Sequence, residues 1–400
     1  MKNKFLLLLL AVSISMVSCF DDLDDNIQQA STLDINDFIY RGLNFFYLYK
    51  ADTPELANDY FITEEEKNTF LNSFETPEAL FDFLISNQDR FSILVDNYIE
   101  LENALNGVTL NNGMEFGLVR YPSDPSLVFG YVRYVIPNSD AAQKNVERGM
   151  IFNRIDGQQL TENNFSELLA PLSYNIGLAT FDGMTITEIP TTIELVKEEL
   201  TENPVAIAEV LNIEDQKIGY LLYNAFTRNF DTELNNTFAD FNAAGITDLI
   251  LDLRYNGGGS VETAVDLSSM VTGQFNDQLF YTEQWNEDRQ EAYAEPGFFN
   301  QEISTGEAIN SLGLTRVFII TSGRTASASE LVINGLAPYI DVIQVGTNTT
   351  GKFQASFLLY DAPAPNFSRA EANPGHTYAM LPLVFKTANA NGFTDYVDGL

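Results

Sequence analysis

The fold is decided by the stretch DLRYNGGG at residues 252–259, which directly follows the aliphatic run at 249–251. A short apolar run that ends in a turn is typical of a buried strand. The three glycines at its carboxyl end adopt positive φ easily and leave backbone N–H groups uncovered. Such a loop can hold an anion, or the oxyanion that develops in acyl transfer. A tight turn from strand to helix explains the glycines equally well.

The sequence around this stretch predicts alternating strands and helices. The run at 317–321 predicts a second buried strand, and 328–336 predicts the helix that follows it. Such alternation is typical of an α/β domain, which we expect to extend over 205–400. The other elements expected there are strands over 218–223, 341–345 and 353–360, helices over 231–243 and 260–270, and an irregular loop over 273–312.

A second motif, TASASE at 325–330, opens the predicted helix at 328–336. A serine at a helix N-terminus gains from the partial positive charge there, which stabilises negative charge developing on its oxygen. Serine is also a common helix cap, and Glu330 follows Ser327 by three residues, as in a capping box. The motif therefore allows two interpretations, a nucleophile or a helix cap.

A nucleophilic serine needs a general base, and the sequence offers two candidates. His376 is the only histidine and lies in a predicted loop, where an ordinary loop imidazole is the simpler interpretation. Lys352 lies 25 residues after Ser327, at the start of a predicted strand. Burial in a cleft would lower the pKa of this lysine and let it act as a neutral base. We therefore expect carboxylates to be kept away from it, although a solvated lysine at a strand edge is the alternative.

Residues 346–352, GTNTTGK, match the spacing of a phosphate-binding loop. The next residue is Phe353, whereas such loops continue with a serine or threonine that binds Mg²⁺. A strand rather than a helix is also expected to follow. We therefore do not expect a nucleotide site here.

Together, DLRYNGGG, TASASE and the later Gly-Lys pair resemble the motifs of the C-terminal processing (tail-specific) serine peptidase family. The resemblance extends over nearly the whole chain beyond its first 18 residues. It implies an α/β fold with a crotonase/ClpP-like β/α core and a Ser-Lys dyad, with Ser327 as nucleophile and Lys352 as general base. It also implies that backbone amides of Gly258 or Gly259 and of Ala328 hold the oxyanion, and that no metal or cofactor is needed.

The chain departs from this family's pattern just after the lysine. Many members have a glutamine four residues beyond it, which orients the amine, whereas this chain has Ser356 there and Gln354 two residues earlier. Residues two apart on a strand face the same side. Either Gln354 or Ser356 could therefore orient Lys352.

Residues 106–204 consist of short alternating runs that predict a β-rich domain. Its segments resemble a PDZ domain, which captures the C-terminus of a peptide that adds as a strand. The resemblance implies that backbone amides near a turn at Phe116, Gly117 and Leu118 bind the terminal carboxylate. A generic β-sandwich is the alternative.

The first 18 residues have the pattern of a secretory signal, with Lys2 and Lys4 before an apolar run at 5–12. The segment resembles the lipobox of bacterial lipoproteins, which implies cleavage before Cys19 and acylation of its thiol. An ordinary signal peptide that happens to contain a cysteine is the alternative. We therefore expect a protein of the cell envelope, on the periplasmic side of the outer membrane or at the cell surface, held to the membrane by a lipid anchor only.

Two further regions are expected between this signal and the β-rich domain. Residues 19–34 are polar and predict a linker. Apolar residues recur with a helical period over 35–105, and this pattern predicts an N-terminal helical domain. Thr63 and Thr76 each precede the predicted first turn of a helix.

The composition excludes several classes of function. The chain of 400 residues has 56 acidic and 21 basic residues and a net charge of −35, which argues against binding nucleic acid. One cysteine and one histidine argue against a metal centre built from these residues. The expected partners are protein or peptide substrates, recognised by their C-termini. The alternative is a non-catalytic carrier of hydrophobic ligands or peptides on the same fold, but the presence of both Ser327 and Lys352 favours the peptidase.

Overall fold

The computed structural model describes residues 27–400, so the predicted signal 1–18 and Cys19 lie outside the described residues. Within the described part, no helix combines the length and the apolar character needed to cross a membrane. The chain forms two compact units. The first contains the described part of Met1–Tyr98 together with Ser356–Val384, and the second contains Ile99–Ala355 and Phe385–Leu400.

Residues 27–400 form α-helices and β-strands in a mixed order. The helices are α1 (Thr32–Phe46), α2 (Glu64–Leu71), α3 (Pro77–Leu84), α4 (Tyr98–Leu105), α5 (Asp140–Gln143), α6 (Phe165–Leu169), α7 (Asp231–Ala244), α8 (Val261–Thr272), α9 (Gln290–Tyr293) and α10 (Ala328–Leu336). The strands are β1 (Ile93–Val95), β2 (Val108–Asn111), β3 (Met114–Arg120), β4 (Val128–Val135), β5 (Ile151–Ile155), β6 (Gln158–Gln159), β7 (Ser173–Phe181), β8 (Ile186–Val196), β9 (Glu198–Thr201), β10 (Val205–Ile213), β11 (Gln216–Tyr223), β12 (Asp248–Asp252), β13 (Leu279–Trp285), β14 (Gly297–Phe298), β15 (Arg316–Thr321), β16 (Asp341–Gly346), β17 (Gln354–Ser356), β18 (Leu359–Tyr360), β19 (Ala379–Leu381) and β20 (Leu383–Asn389).

The first unit is built from helices α1 to α3 and a small sheet. Helix α1 packs against α2 and α3. It begins at Thr32, inside the predicted linker 19–34, because Ser31 caps it. The backbone N–H of Asp34 donates to the Ser31 hydroxyl, and the backbone N–H of Ser31 donates to the Asp34 carboxylate. The helix therefore starts where local capping is available, before the apolar period becomes visible.

The sheet of the first unit joins strands that are distant in sequence. Strand β19 pairs antiparallel with β1 on one side and with β18 on the other. The segment Ser356–Val384 therefore belongs to the first unit, which differs from the prediction of an uninterrupted catalytic domain over 205–400. The reason is that β1 supplies a pairing partner from the N-terminal part of the chain, and a local pattern does not reveal such a pairing.

The second unit contains the α/β core that the glycine-rich stretch predicted. Its five-stranded sheet has the order β10-β11-β12-β15-β16, in which β11, β12, β15 and β16 run parallel and β10 is antiparallel. Leu221, Leu251 and Ile319 lie side by side on one face, fully buried with the apolar residues of helices α7, α8 and α10. Because β12 and β15 are parallel neighbours, the segments that follow them emerge at the same edge of the sheet.

The stretch 273–312 was expected to be an irregular loop, and this prediction is wrong. It contains β13, helix α9 and β14. Strand β13 pairs with β20, so that Thr282 faces Ala388 in the register. Polar and aromatic residues obscured the pattern of a strand whose partner lies about a hundred residues further along the chain.

The β-rich part of the second unit is a six-stranded sheet. Its order is β3-β4-β5-β7-β8, with β6 beside β5. Phe152, Ile155 and Ile176 are fully buried in its core. Strand β3 lies at the edge and pairs only with β4 among the described strands, so one row of its backbone groups faces away from the sheet.

Candidate active site

Ser327 lies at the junction between the loop after β15 and helix α10, in an unusual backbone conformation. Its φ is +58° and its ψ is −116°. A residue with a Cβ in such a region costs about 1–3 kcal/mol, and such strain is concentrated at functional sites. Its side chain is half-buried. The structure therefore holds this serine in a conformation that a simple helix cap would not need.

The other two hydroxyl groups of TASASE are buried and engaged in backbone hydrogen bonds. The Thr325 hydroxyl donates to the carbonyl of Leu253 at 2.8 Å. The Ser329 hydroxyl donates to the carbonyl of Asn256 at 3.1 Å. Both side chains are fully buried. Ser327 is thus the hydroxyl of this motif that is accessible for chemistry.

The glycine-rich stretch lies directly against Ser327. A Cβ on Gly258 would come within 2.7 Å of the Ser327 Cβ and 3.0 Å of the Ala328 nitrogen, and φ of Gly258 is +104°. Only glycine permits both this φ and this close approach. The two motifs that were recognised separately in the sequence therefore form one site.

The prediction that the Gly258 amide holds an oxyanion is not matched by the geometry of this conformation. Its N–H donates to Oδ1 of Asn256 at 2.9 Å, and the side-chain amide of Asn256 in turn donates to the carbonyl of Tyr223. Asparagine forms such a turn with the backbone two residues on. Among the described residues, no group accepts a hydrogen bond from the N–H of Gly259 or of Ala328. These two amides remain available as donors.

Glu330 connects the serine loop to the lysine loop, which the sequence interpretation missed. Its fully buried carboxylate accepts a hydrogen bond from the N–H of Ser327 at 2.8 Å and from the N–H of Lys352 at 2.8 Å. It also accepts from the N–H of Gly351 and from the hydroxyl of Thr349, each at 2.6 Å. Four donors therefore compensate the buried charge. The available signal was a glutamate at the third position of the helix, which was interpreted only as part of a cap.

This arrangement corrects the expectation that carboxylates are kept away from the lysine. The carboxylate of Glu330 is bound to the backbone of Lys352 itself. The N–H groups of Gly351 and Lys352, which a phosphate-binding loop would offer to its ligand, donate to Glu330 in this structure. Burial, followed by the charge of Glu330, raises the pKa of the Tyr396 hydroxyl.

Lys352 is half-buried and precedes strand β17. The single strand predicted over 353–360 is divided into β17 and β18, which belong to different sheets. Its neighbour Phe353 is buried and makes an edge contact with the ring of Tyr396. Gln354 and Ser356 are the first and last residues of β17, so a strand does place them on one side of the chain. Gln354 is buried, and Ser356 is half-buried.

The DLR part of the glycine-rich stretch has a structural role. Arg254 forms a two-pronged ion pair with the buried Asp252, at 2.9 and 2.6 Å, and the Tyr220 hydroxyl donates to the same carboxylate. The hydroxyl of Ser322 donates to the Arg254 carbonyl. These bonds fix the start of the glycine loop relative to the serine loop.

His376, the other candidate base, is used within the first unit. Its Nε2 lies 3.0 Å from Oδ2 of Asp361, and its Nδ1 accepts the N–H of Tyr378 at 2.9 Å. Burial alone would raise the pKa of the Asp361 carboxyl, but hydrogen bonds from His376 and Asn373 lower it below its usual value. Both ring nitrogens of His376 are therefore occupied by structural contacts.

Phe116, Gly117 and Leu118 lie in the middle of β3, rather than in the turn that was expected. They face Val132, Tyr131 and Gly130 of β4 in the register. The turn lies before the strand, where Asn111 and Asn112 accept the N–H groups of Gly113 and Met114. Asparagine side chains thus occupy the amides that a carboxylate-binding loop would offer.

Comparison with known proteins identifies the family. Residues 217–360 match the model "Peptidase family S41", and residues 34–93 match the model "Peptidase S41 N-terminal domain". A carboxyl-terminal-processing protease of Picosynechococcus is 23% identical over 295 residues, which is 72% of this chain and 66% of that protein. One from Synechocystis is 23% identical over 300 residues, 74% of this chain and 66% of that protein.

Solved structures give the same result. The crystal structure of a protein from Bacteroides fragilis assigned to the S41 proteases is 25% identical, with a TM-score of 0.68, and covers 91% of this chain and 88% of that one. The photosystem II D1 C-terminal processing protease shares the fold, at 17% identity and a TM-score of 0.55 over 93% of this chain and 92% of that one. The chain belongs to peptidase family S41 and has its mixed α/β fold with an N-terminal helical region. It spans about two thirds of the length of the two cyanobacterial relatives.

Proposed function

We propose that the protein is a serine endopeptidase in which Ser327 is the nucleophile and Lys352 the general base. The observation that carries this proposal is the bridge made by Glu330, whose carboxylate binds the backbone N–H groups of both residues. A buried carboxylate with four donors fixes the two loops relative to each other, as a two-residue catalytic site requires.

The reaction then follows the usual course of acyl transfer. The neutral amine of Lys352 accepts the hydroxyl proton of Ser327 as the oxygen attacks the peptide carbonyl carbon. The amides of Ala328 and Gly259 stabilise the negative carbonyl oxygen. The lysine returns its proton to the departing amine, and water then releases the acyl group from the serine by the same steps. Gln354 or Ser356 orients the lysine amine.

The substrates proposed are proteins or peptides recognised near their C-termini. This rests on the names of the cyanobacterial relatives, which are carboxyl-terminal-processing proteases, and on the free edge of β3. An extended peptide can add to such an edge as a further strand. The PDZ-like interpretation of the β-rich sheet is part of this proposal.

We also propose that the protein acts in the cell envelope, attached through a lipid on Cys19. The support is the signal-like pattern of the first 18 residues and the cysteine directly after it. Envelope proteins and peptides would then be the substrates.

Hydrolysis of an unfolded protein such as reduced casein tests the activity. We expect wild-type protein to cleave it, and the rate to rise with pH along one ionisation, because only the neutral lysine is a base. Ser327→Ala should be inactive and folded, since it loses a single oxygen. Equal cleavage by Ser327→Ala would refute the assignment, and inactivity of the wild type would favour the non-catalytic carrier.

A further inference from the structure

The segment 396–400 lies against the lysine loop, residues 349–352, in close backbone contact. A Cβ on Gly351 would come within 2.3 Å of the Val397 carbonyl oxygen. From the other side, a Cβ on Gly399 would come within 2.2 Å of a carbonyl oxygen of the lysine loop. Both glycines have positive φ, +84° and +86°, and only glycine permits both this φ and such an approach. The contact therefore depends on a glycine on each side.

The hydrogen bonds between the two segments are centred on Thr349, whose side chain is buried. The backbone N–H of Leu400 donates to the Thr349 hydroxyl at 2.8 Å, and the backbone N–H of Thr349 donates to the Leu400 carbonyl at 3.3 Å. The side-chain amide of Gln344, on β16, donates to the same carbonyl at 2.8 Å. Leu400 is thus fixed to the five-stranded sheet as well as to the lysine loop.

The Thr349 hydroxyl connects this contact to the candidate active site. It accepts a hydrogen bond from Leu400 and donates its one proton to Oε1 of Glu330 at 2.6 Å. Two such bonds in series polarise each other, which strengthens both. One side chain therefore joins the segment 396–400 to the carboxylate that binds the N–H groups of Ser327 and Lys352.

The bond from Thr349 also sets the orientation of this carboxylate. The terminal torsion of a glutamate is broad, so burial of the side chain does not by itself set the plane of the two oxygens. The Thr349 hydroxyl and the Gly351 N–H hold Oε1. Oε2 is then directed at the N–H groups of Ser327 and Lys352. The Thr349 hydroxyl is itself held by Leu400, which lies outside the lysine loop.

The same segment supports the residue that follows the lysine. Tyr396 is 6% exposed, and its ring makes an edge contact with the ring of Phe353, with 5.4 Å between the ring centres. Thr349 before the lysine and Phe353 after it are therefore both in contact with the segment 396–400. This segment restrains the backbone on both sides of Lys352.

We propose that Thr349 and the segment 396–400 position Lys352 for its reaction with Ser327. The proposal rests on the proposed function, in which Lys352 is the general base. A base must lie within hydrogen-bond reach of the proton that it accepts, and a displacement of about 1 Å lowers the rate roughly 100-fold. Thr349 acts through Glu330 and is therefore a positioning residue. The position of the base is thus set by a residue 51 positions later in the chain than Thr349.

The rate at which a fluorophosphonate labels Ser327 tests this positioning without a peptide substrate. Thr349→Val removes the hydroxyl and keeps the size of the side chain, so we expect labelling to slow by about 10- to 100-fold at a temperature where the variant is folded. Thr349→Ser keeps the hydroxyl and should restore most of the rate. Thr347→Val is the matched control, because Thr347 is exposed and its hydroxyl donates to the Asn348 carbonyl at 3.4 Å. It should be labelled at the wild-type rate.

A pair of glycines tests the same contact while Thr349 stays intact. Gly399→Ala would place a Cβ 2.2 Å from a carbonyl oxygen of the lysine loop, whereas the Cβ of Gly392→Ala would meet no atom within 4 Å. The φ of Gly392 is +81°, so the two replacements strain the backbone to a similar extent. We expect Gly399→Ala to slow labelling about tenfold or more, and Gly392→Ala to be labelled at the wild-type rate. Hydrogen exchange of residues 349–352 should become faster only in Gly399→Ala.

The proposal is overturned if Thr349→Val and Gly399→Ala are both labelled at the wild-type rate. It is also overturned if Thr349→Ser is labelled as slowly as Thr349→Val, because the hydroxyl would then have no role. Failure of the proposed function would appear differently, as wild-type protein that is not labelled on Ser327, and it would overturn this proposal as well.

Discussion

Replacement of Glu330 by glutamine is the perturbation that most sharply tests how the site is held together. The two carboxylate oxygens accept different pairs of donors. One oxygen accepts from Thr349 and Gly351, and the other accepts from the N–H groups of Ser327 and Lys352. A glutamine keeps one acceptor and replaces the other oxygen by an NH₂ group. Whichever way the amide is turned, at least one backbone N–H then faces a donor.

The cost can be worked out from these contacts. One buried N–H without an acceptor costs about 1–3 kcal/mol, and the hydrogen bonds that remain lose the contribution of the full charge. Relief from burying that charge offsets part of the loss. We therefore expect the free energy of unfolding to fall by roughly 3 kcal/mol. Displacement of the serine or lysine loop by even a fraction of an ångström should lower the rate of reaction at Ser327 by about 100-fold.

Two measurements on the same samples separate these effects. Unfolding in urea is followed by the fluorescence of Trp285, the only tryptophan, and the reaction of Ser327 with a fluorophosphonate is timed at a temperature where Glu330→Gln is fully folded. Glu209→Gln is the matched control, because Glu209 is exposed on β10. A folded Glu330→Gln protein that reacts at the wild-type rate would refute the positioning role.

Three further outcomes are expected. Burial raises the pKa of Asp266 to about 7, so between roughly pH 4 and 7 the folded protein holds a proton that the unfolded chain releases, and the free energy of unfolding falls as pH rises through this window. In urea titrations across that range we expect a fall of about 2 kcal/mol, half the ideal value for such a shift. Asp266→Asn should remove this fall, and an unchanged pH profile would contradict the prediction. Ser329→Ala should lower stability by about 1 kcal/mol through loss of its buried hydrogen bond, yet keep most of the casein hydrolysis, and complete inactivity would assign Ser329 a chemical role. Lys352→Arg should abolish hydrolysis because arginine does not lose its proton near neutral pH. His376→Ala should lower the melting temperature and leave the pH profile of hydrolysis unchanged. Hydrolysis that persists in Lys352→Arg and is lost in His376→Ala would indicate a histidine mechanism.

The elements that the sequence predicted well are those specified by local chemistry. Helix α10 has the predicted bounds, because an apolar helical pattern follows a serine-rich start. Helices α2 and α3 begin directly after Thr63 and Thr76, where the side-chain oxygen of each threonine accepts a backbone N–H. The buried strands β12 and β15 were visible as short aliphatic runs.

The features that were missed depend on residues distant in sequence. Strand β13 needs β20 as its partner, and β18 needs β19, which itself pairs with β1. The role of Glu330 arises only when the loop at 349–352 closes over the start of α10. The shift in register between β3 and β4 at Glu115 and Phe116 is likewise a property of two paired strands, and neither strand shows it alone.

The same distinction applies to the candidate site. Ser327, Lys352 and the glycine-rich stretch were found from residue types and spacing, and the structure brings Gly258 against Ser327. The occupation of the Gly258 amide by Asn256 could not be predicted, because it depends on the rotamer of one side chain in the folded loop. The amides of Gly259 and Ala328 take its place in the proposed mechanism.

The most direct test of the proposed activity is identification of the residue that reacts with a fluorophosphonate. Wild-type protein is treated with the reagent, digested and analysed by mass spectrometry, in parallel with Ser327→Ala and Lys352→Ala. Because only a serine with an adjacent base reacts rapidly, we expect a single adduct, on Ser327, that is absent from Ser327→Ala and strongly reduced in Lys352→Ala. An adduct on another residue, or an adduct on Ser327 that forms equally fast without Lys352, would contradict the Ser-Lys mechanism.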